Sequence, residues 1–252
     1  MYNPLSLVGK RVMVTGASSG IGRACAIMIS QLGGEVVLVA RDEQRLRETY
    51  DRLDGSGHSI NVFDLSDVEA ISAWMKVCSA SSRPLSGLVH CAGIEFMLPI
   101  KSMKLADYEK LMAVNLTAGF FLAKGFRQRG VCSNSSCIVF ISSVAANKVQ
   151  PGMVAYSTSK AAIYGLTKSL AVELARDGIR VNSVTPGLIK TEMRDQMDKK
   201  RTQTQLQQII DDHLFGVGKP EDVAYSVVFL LAETGRWITG SNLVVDGGYS
   251  LN

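Results

Sequence analysis

The sequence predicts an α/β fold: a Rossmann-type, doubly wound parallel sheet of about seven strands with helices on both faces, in one domain spanning 1–252. Three observations predict it. Short apolar runs alternate with helical stretches from one end of the chain to the other. The first run empties directly into a glycine turn, Gly16-Ala17-Ser18-Ser19-Gly20-Ile21-Gly22, which opens a helix. With 252 residues and 46% hydrophobic content, the chain can bury a full core as one unit.

Strand one is read at 10–15 and its helix at 23–32, closed by Gly33-Gly34. Strand, glycine turn and helix in that order are the context that gives a glycine motif its meaning. Gly16 permits a tight turn, while Gly20 and Gly22 let backbone and helix N-terminus approach a pyrophosphate. An ordinary βα turn with no ligand is the plainer reading. A second strand at 35–40 completes the βαβ unit and favours the nucleotide. That strand ends Val39-Ala40-Arg41, with alanine where an acid would accept from ribose hydroxyls and a guanidinium just beyond. Arg41 therefore points to NADP(H), with Ser18 as a second phosphate contact. The alternative is that Asp42 pairs with Arg41 or caps the helix at 43–53.

A third strand is read at 59–63, before Asp64-Leu65, and a helix at 67–78 with Trp74 on its buried side. Asp64 is placed to reach an adenine amine or to cap the helix. Strand four, 87–91, leads to Ala92-Gly93, whose small side chains leave backbone free to touch a ribose beside Cys91. His90, inside that strand, reads as a packed histidine. The helical stretch 104–127 is interrupted by Val114-Asn115-Leu116-Thr117, and Asn115 there marks a kink or a bound water. A loop at 128–136 leads to strand 137–143, which ends at Ser143. After a substrate-side loop at 144–154 comes a helix at 155–176 ended by Gly178. Strand 179–184 exits through Thr185-Pro186-Gly187, where a nicotinamide carboxamide would dock. The stretch 188–218 is polar, with Leu206, Ile209, Ile210, Leu214 and Phe215 at helical spacing, and is expected to be a mobile cover over the cleft. A helix at 220–231 with Pro220 at its start, a strand at 237–245 and the turn Asp246-Gly247-Gly248 finish the chain.

Tyr156 and Lys160 are four apart in a helix and so share a face. An ammonium beside a phenol favours the phenolate, which makes the pair a proton carrier near neutral pH. Ser143 presents a hydroxyl at a strand's carboxyl end, where open α/β sheets bind ligands. The candidate cofactor wall also takes in Ser19, Ile21, Leu65 and Ile189.

The formal net charge of +4, from 27 basic and 23 acidic residues, is spread without a basic block and argues against nucleic acid as partner. Lys199-Lys200-Arg201 reads as solvated surface. Five cysteines without framework spacing point to a reducing compartment, hence the cytoplasm. Cys132 and Cys137 lack the companions of a metal site. Residues 1–9 show no signal-peptide pattern, and no window has the uncharged length of a bilayer span.

In order, Thr15-Gly16-Ala17-Ser18-Ser19-Gly20-Ile21-Gly22, Asn115, Ser143, Tyr156-x-x-x-Lys160 and Pro186-Gly187 resemble the short-chain dehydrogenase/reductase family from Gly9 to Gly248. The resemblance is strongest to 3-oxoacyl-(acyl-carrier-protein) reductase-like members. It implies a catalytic tetrad of Asn115, Ser143, Tyr156 and Lys160, the Asn holding a kink and a relay water. It implies that Lys160 also holds the ribose hydroxyls, that Thr191 contacts the carboxamide, and that the protein is a tetramer or dimer. The family has Asn where this chain has Cys91. For a carrier-protein substrate, Arg127, Arg129, Arg176 and Arg194 are candidate contacts; for a sugar, polyol or other small secondary alcohol, Glu95, Asn147 and Gln150 are. A non-catalytic nucleotide-binding regulator would not need the intact Ser143, Tyr156 and Lys160.

Overall fold

A computed structural model describes residues 2–80, 83–192 and 202–251, excepting the side chains of 205, 206, 208 and 209. Seven strands form one sheet: β1 Arg11–Thr15, β2 Glu35–Ala40, β3 Ser59–Val62, β4 Leu85–His90, β5 Cys132–Ile141, β6 Ile179–Pro186 and β7 Asn242–Val245. Every pairing is parallel and the order is β3-β2-β1-β4-β5-β6-β7. The helices are α1 Gly20–Gln31, α2 Glu43–Tyr50, α3 Ile71–Ala80, α4 Leu105–Met112, α5 Ala118–Phe126, α6 Val154–Leu174, α7 Gln203–Asp211 and α8 Pro220–Leu231.

The strands read as continuous apolar runs because both faces of the sheet are covered. Val12 and Val14 point into one core with Cys25 and Ile29 of α1 and Val227 of α8. Met13, between them, points into the other, with Met75 of α3, Phe126 of α5 and Ile163 of α6. Each such side chain, fully buried, contributes about 1.5–3 kcal/mol. The chain winds outward from β1 to β3 and then returns to β4 beside β1. That reversal opens a crevice at the carboxyl ends of β1 and β4.

Four of the boundaries that differ from the sequence reading have a local cause. The final strand is only β7; Trp237 is 91% exposed, and Ile238 N–H donates to Gly235 O at 3.0 Å, so this stretch continues a turn. Gly240, at φ +72°, keeps it from extending sooner. The expected loop 128–136 is already strand from Cys132, because Leu85 N–H donates to Val131 O and starts the pairing early. The misleading Ser-Asn-Ser-Ser run is absorbed as a bulge around Ser135, at φ +59°. The helix expected at 67–78 begins at Ile71; Asp67 Oδ1 accepts from Ala70 N–H and caps the turn that leads into it. Trp74 is half-buried there, stacked 4.2 Å from Phe63. The fifth strand ends at Ile141, two residues before Ser143, which instead caps a short 3-10 turn.

Asn115 sits where the sequence reading put a kink. The helix from Leu105 is interrupted by a π turn, Ala113–Thr117, before α5 resumes.

The segment 188–218 is pinned at both ends. Lys190 N–H donates to Gly218 O and Gly218 N–H to Leu188 O, each at 2.9 Å, while Phe215 N–H donates to Gly247 O. Of its expected apolar face, Ile210, Leu214 and Phe215 are exposed, Phe215 at 90%; the Leu206 and Ile209 side chains lie outside the described residues. Among its described residues Ile189 and His213 are buried, and His213 Nε2 accepts from Leu188 N–H. Lys199-Lys200-Arg201 lies outside the described residues. Among the described residues, no helix is long and apolar enough to cross a membrane.

Candidate active site

A cleft of about 1200 Å³ runs along the carboxyl ends of the strands. It is lined by Gly16, Ser18, Ser19, Gly20, Ile21, Gly22, Arg41, Asp64, Leu65, Cys91, Ala92 and Gly93 at one end. Ser143, Tyr156, Lys160, Pro186, Gly187, Ile189 and Thr191 line the other. Of the candidate catalytic and cofactor residues, Asn115 alone does not line it; it lies behind the wall at 1% exposure.

The glycine turn is shaped by close approach. At Gly16 a Cβ would stand 2.8 Å from Ala92 N, and at Gly22 it would run into Gly16 O, so only hydrogen lets turn, helix and β4 exit meet. This cradle, above the N-terminus of α1, fits a dinucleotide pyrophosphate. Two residues outside the motif hold it. Arg23 donates from Nη2 to Ser18 O at 2.6 Å, and Thr49, from α2, donates to Ala17 O at 2.9 Å. Arg23 also donates to Thr49 Oγ1, which ties the turn to α2. Neither stood out in the sequence, since a lone arginine and a lone threonine within helices carry no motif.

At the end of β2, Arg41 is exposed to the cleft and its Nη1 lies 4.0 Å from Asp64. Asp42 does not pair with it: Asp42 Oδ1 accepts from Arg45 N–H at 3.0 Å and caps α2. Arg45 lines the same region, a second guanidinium that sequence reading passed over, 3.4 Å from Glu192. Asp64 accepts from both N–H and Oγ of Ser66, each at 2.9 Å. Burial raises its carboxyl, but those bonds and the Arg41 charge outweigh it and hold it below its ordinary range. Two guanidiniums with Ala40 in place of an acid fit a 2'-phosphate.

At the other end, α6 carries Tyr156 and Lys160 on one face. Lys160 Nζ stands 5.8 Å from the Tyr156 ring centroid and donates to Ile141 O at 2.9 Å. Ser142 Oγ donates to Lys160 O, so the strand end and helix lock together. The electrostatics correct the expectation of a phenolate. Burial, helped by the Glu95 charge, pushes the Tyr156 phenol well up, with the Ser143 hydrogen bond opposing. Burial likewise pushes the Lys160 ammonium down to about 8, with Cys91 and Glu95 partly opposing. Burial thus favours the neutral phenol of Tyr156.

Asn115 braces this arrangement. Its Oδ1 accepts from Ile94 N–H at 2.8 Å; its Nδ2 donates to Ile94 O at 2.9 Å and to Ser159 Oγ at 3.1 Å. Ser159 in turn donates to Tyr156 O at 2.7 Å. The π turn thus connects the β4 exit to the helix turn bearing Tyr156. Cys91, in the asparagine position of the resembled family, packs against the core cluster that holds Cys25 of α1. The strand is fastened instead by Thr15, whose Oγ1 accepts from Ala92 N–H at 3.3 Å and meets His90 Nδ1 at 2.9 Å. His90 is a packed residue, held neutral to about pH 3 chiefly by burial and then by the Lys160 charge.

Glu95 and Gln150 line the cleft; Asn147 is exposed and donates to Tyr164 OH instead. Arg127, Arg129 and Arg176 are not near it. They precede β5 and β6, at the amino edge of the sheet, and Arg127 is paired with Asp177 at 2.6 Å. Arg194 lies outside the described residues.

The comparisons agree with this geometry. Residues 16–250 match the family model described as enoyl-(acyl carrier protein) reductase. A 3-oxoacyl-(acyl-carrier-protein) reductase FabG of Rickettsia prowazekii (strain Madrid E) is 37% identical over 97% of this chain and 98% of its own length. A gluconate 5-dehydrogenase of Gluconobacter oxydans (strain 621H) is 30% identical over 98% and 97%. Among solved structures, a candidate 2-deoxy-d-gluconate 3-dehydrogenase of Agrobacterium tumefaciens with bound NADP superposes with a TM-score of 0.90 at 31% identity, covering both chains fully. The chain belongs to the short-chain dehydrogenase/reductase family.

Proposed function

We propose that the protein interconverts a ketone and a secondary alcohol on a small polar compound of the sugar or polyol type, with reduction as the cellular direction. The protein is an NADP(H)-dependent oxidoreductase of carbonyl and alcohol groups. The observation that carries the substrate reading is the wall facing Tyr156: Glu95, Lys148, Gln150 and His213 line it, while Arg127, Arg129 and Arg176 sit on the opposite edge of the sheet. Hydrogen-bonding side chains suit hydroxyl groups. Named relatives acting on gluconate-type compounds support the same reading. A 3-oxoacyl thioester is the second reading, favoured by the Rickettsia relative and by apolar Phe96, Met153 and Leu188 in the same wall.

In this reading NADPH, when bound, supplies the hydride. Arg41 and Arg45 would hold its 2'-phosphate, the Gly16–Gly22 turn its pyrophosphate, and Pro186, Gly187, Ile189 and Thr191 the nicotinamide end. Tyr156 gives its phenol proton to the carbonyl oxygen as negative charge develops there, and Ser143 donates a hydrogen bond to that oxygen. Lys160 places its charge behind the phenol, and Asn115 positions both through Ser159 and Ile94. Leu188 and His213 line the substrate end of the cleft. Exposed Phe120, Val172, Trp237 and Val244 support a homo-oligomer, dimer or tetramer, and five free cysteines support the cytoplasm.

Purified protein with NADPH, assayed against a panel of sugar-type ketones and a 3-oxoacyl thioester, tests the reading. The polar ketones are expected to show the higher kcat/KM; a thioester turned over faster than all of them would replace the first reading by the second. For the cofactor, Arg41→Ala is expected to weaken NADPH about ten-fold or more, the loss of one charge-assisted contact, and to leave NADH nearly unchanged. Fluorescence titration of both cofactors reads this directly. Equal wild-type affinity for the two would remove the phosphate role of Arg41.

A further inference from the structure

We propose that Thr49 and Arg23, neither of which lines the cleft, are positioning residues for cofactor choice: they fix the pyrophosphate turn relative to the guanidiniums that read the 2'-phosphate. This rests on the assignment of Arg41 and Arg45 above and deepens it. NADPH carries its pyrophosphate and its 2'-phosphate at a separation limited by covalent bonds. A protein that engages both well holds its two anion sites at that separation before the ligand arrives. One site here is the Gly16–Gly22 turn. The other is Arg41, at the end of β2, with Arg45 on α2.

Ala17 is where the two sites are joined. Its N–H donates to Val39 O at 3.2 Å, two residues before Arg41, and its carbonyl accepts from Thr49 Oγ1 at 2.9 Å. Thr49 lies one helical turn beyond Arg45 on α2, and its buried hydroxyl also reaches Arg45 O at 3.1 Å. The single hydroxyl proton therefore lies between the glycine turn and the backbone of Arg45. Arg23 completes the joint from α1. Its Nε donates to the Thr49 hydroxyl at 3.0 Å, which leaves the hydroxyl proton for the carbonyls, and its Nη2 donates to Ser18 O at 2.6 Å. Glu48, next to Thr49 on α2, pairs with the same Nη2 at 3.2 Å. At the start of α2, Asp42 accepts from Arg45 N–H, so the helix is also fixed beside Arg41.

Ala17, Thr49, Arg23 and Ser18 thus close a ring of hydrogen bonds that links the turn to α2. Removing the Thr49 hydroxyl takes a partner from Ala17 O and from Arg23 Nε and opens the ring. NADH engages the turn and has no group for the guanidiniums, whereas NADPH engages both sites at once. A loosened joint therefore weakens NADPH more than NADH. A hydroxyl that only stabilised the turn would weaken both alike when lost, because both carry the pyrophosphate.

The test titrates NADPH and NADH by fluorescence into the full-length wild type, Thr49→Val and Thr49→Ser, with thermal unfolding to show that each variant is folded. Thr49→Val is expected to weaken NADPH about five-fold, the worth of one hydrogen bond, and to leave NADH within about two-fold. Thr49→Ser, which keeps the hydroxyl, is expected to restore the wild-type preference. Adding Arg45→Ala is expected to weaken NADPH less in Thr49→Val than in wild type, since the two side chains act through one joint. If Thr49→Val does not fold, Arg23→Lys takes its place: it keeps the charge beside Glu48, cannot span Thr49 Oγ1 and Ser18 O with two nitrogens, and is expected to narrow the NADPH preference in the same way. Equal weakening of the two cofactors, an unchanged NADPH affinity, or full additivity with Arg45→Ala would each overturn the assignment. If wild type binds NADPH and NADH equally, the 2'-phosphate reading has failed and this assignment with it. If Arg41→Ala removes the preference and Thr49→Val keeps it, this assignment alone fails.

Discussion

Tyr156→Phe is expected to lower kcat by about two to four orders of magnitude, the usual worth of a positioned general acid, while NADPH affinity stays within about two-fold. The substitution removes one oxygen and keeps the ring that packs on α6. Tyr156 stands at the end of a chain of contacts from the strand edge: Lys160 on Ile141 O, Ser142 on Lys160 O, and Ser143 on the phenol. Burial holds the phenol neutral, so the resting enzyme has the proton that reduction consumes. A contact made only as the carbonyl oxygen gains charge changes turnover and not ground-state binding. Steady-state kinetics on any accepted ketone, with a cofactor titration beside it, reads both halves. A kcat within a few fold of wild type would take the proton-donor role from Tyr156.

The parts of this site that were legible in the sequence are those where chemistry is packed into a short stretch. The glycine turn, Arg41 after Ala40, and Tyr156 with Lys160 each depend on neighbours within one turn of backbone, so spacing alone places them. Asn115 was legible for a different reason: an amide in the middle of an apolar helix has no cheap explanation. What spacing could not show is everything fixed by the sheet order. Thr49 reaches Ala17 from a different helix, Ser159 links Asn115 to Tyr156 across two, and Tyr249 meets Lys148 from a hundred residues away. The surface arginines misled for the same reason. Arg127 and Arg176 follow helices that return to the amino edge, and only the topology of β5 and β6 tells which end of the sheet they occupy. The phenolate expectation failed because i to i+4 proximity says nothing about burial. Desolvation acts on both, pushing the Tyr156 phenol up and the Lys160 ammonium down.

The bracing of Asn115 leads to the second large effect. Asn115→Ala is expected to destabilise the protein by about 3–5 kcal/mol, with kcat falling more steeply than cofactor affinity. Three hydrogen bonds disappear, and the N–H and C=O of Ile94 lose their side-chain partner; each such group, once desolvated, costs about 1–3 kcal/mol. For a chain of this size that corresponds to a fall in Tm of about 10 °C. The stability loss is mechanical in origin and the activity loss follows from it. Gly93, where a Cβ would stand 3.4 Å from Asn115 Oδ1 and 3.5 Å from Lys160 Nζ, marks how closely the β4 exit, the π turn and the lysine converge. With Asn115 gone, the π turn has no reason to persist, and a regular helix would draw the remaining residues of 113–117 out of register with Ser159. Asn115→Asp separates the two terms: it keeps the acceptor for Ile94 N–H and loses the donors, so it is expected to fall between wild type and Asn115→Ala in Tm. Thermal unfolding with and without NADP, beside steady-state kinetics, measures both. An Asn115→Ala protein that melts within about 2 °C of wild type, or that melts early yet keeps full kcat, would show that the π turn is not what positions Tyr156.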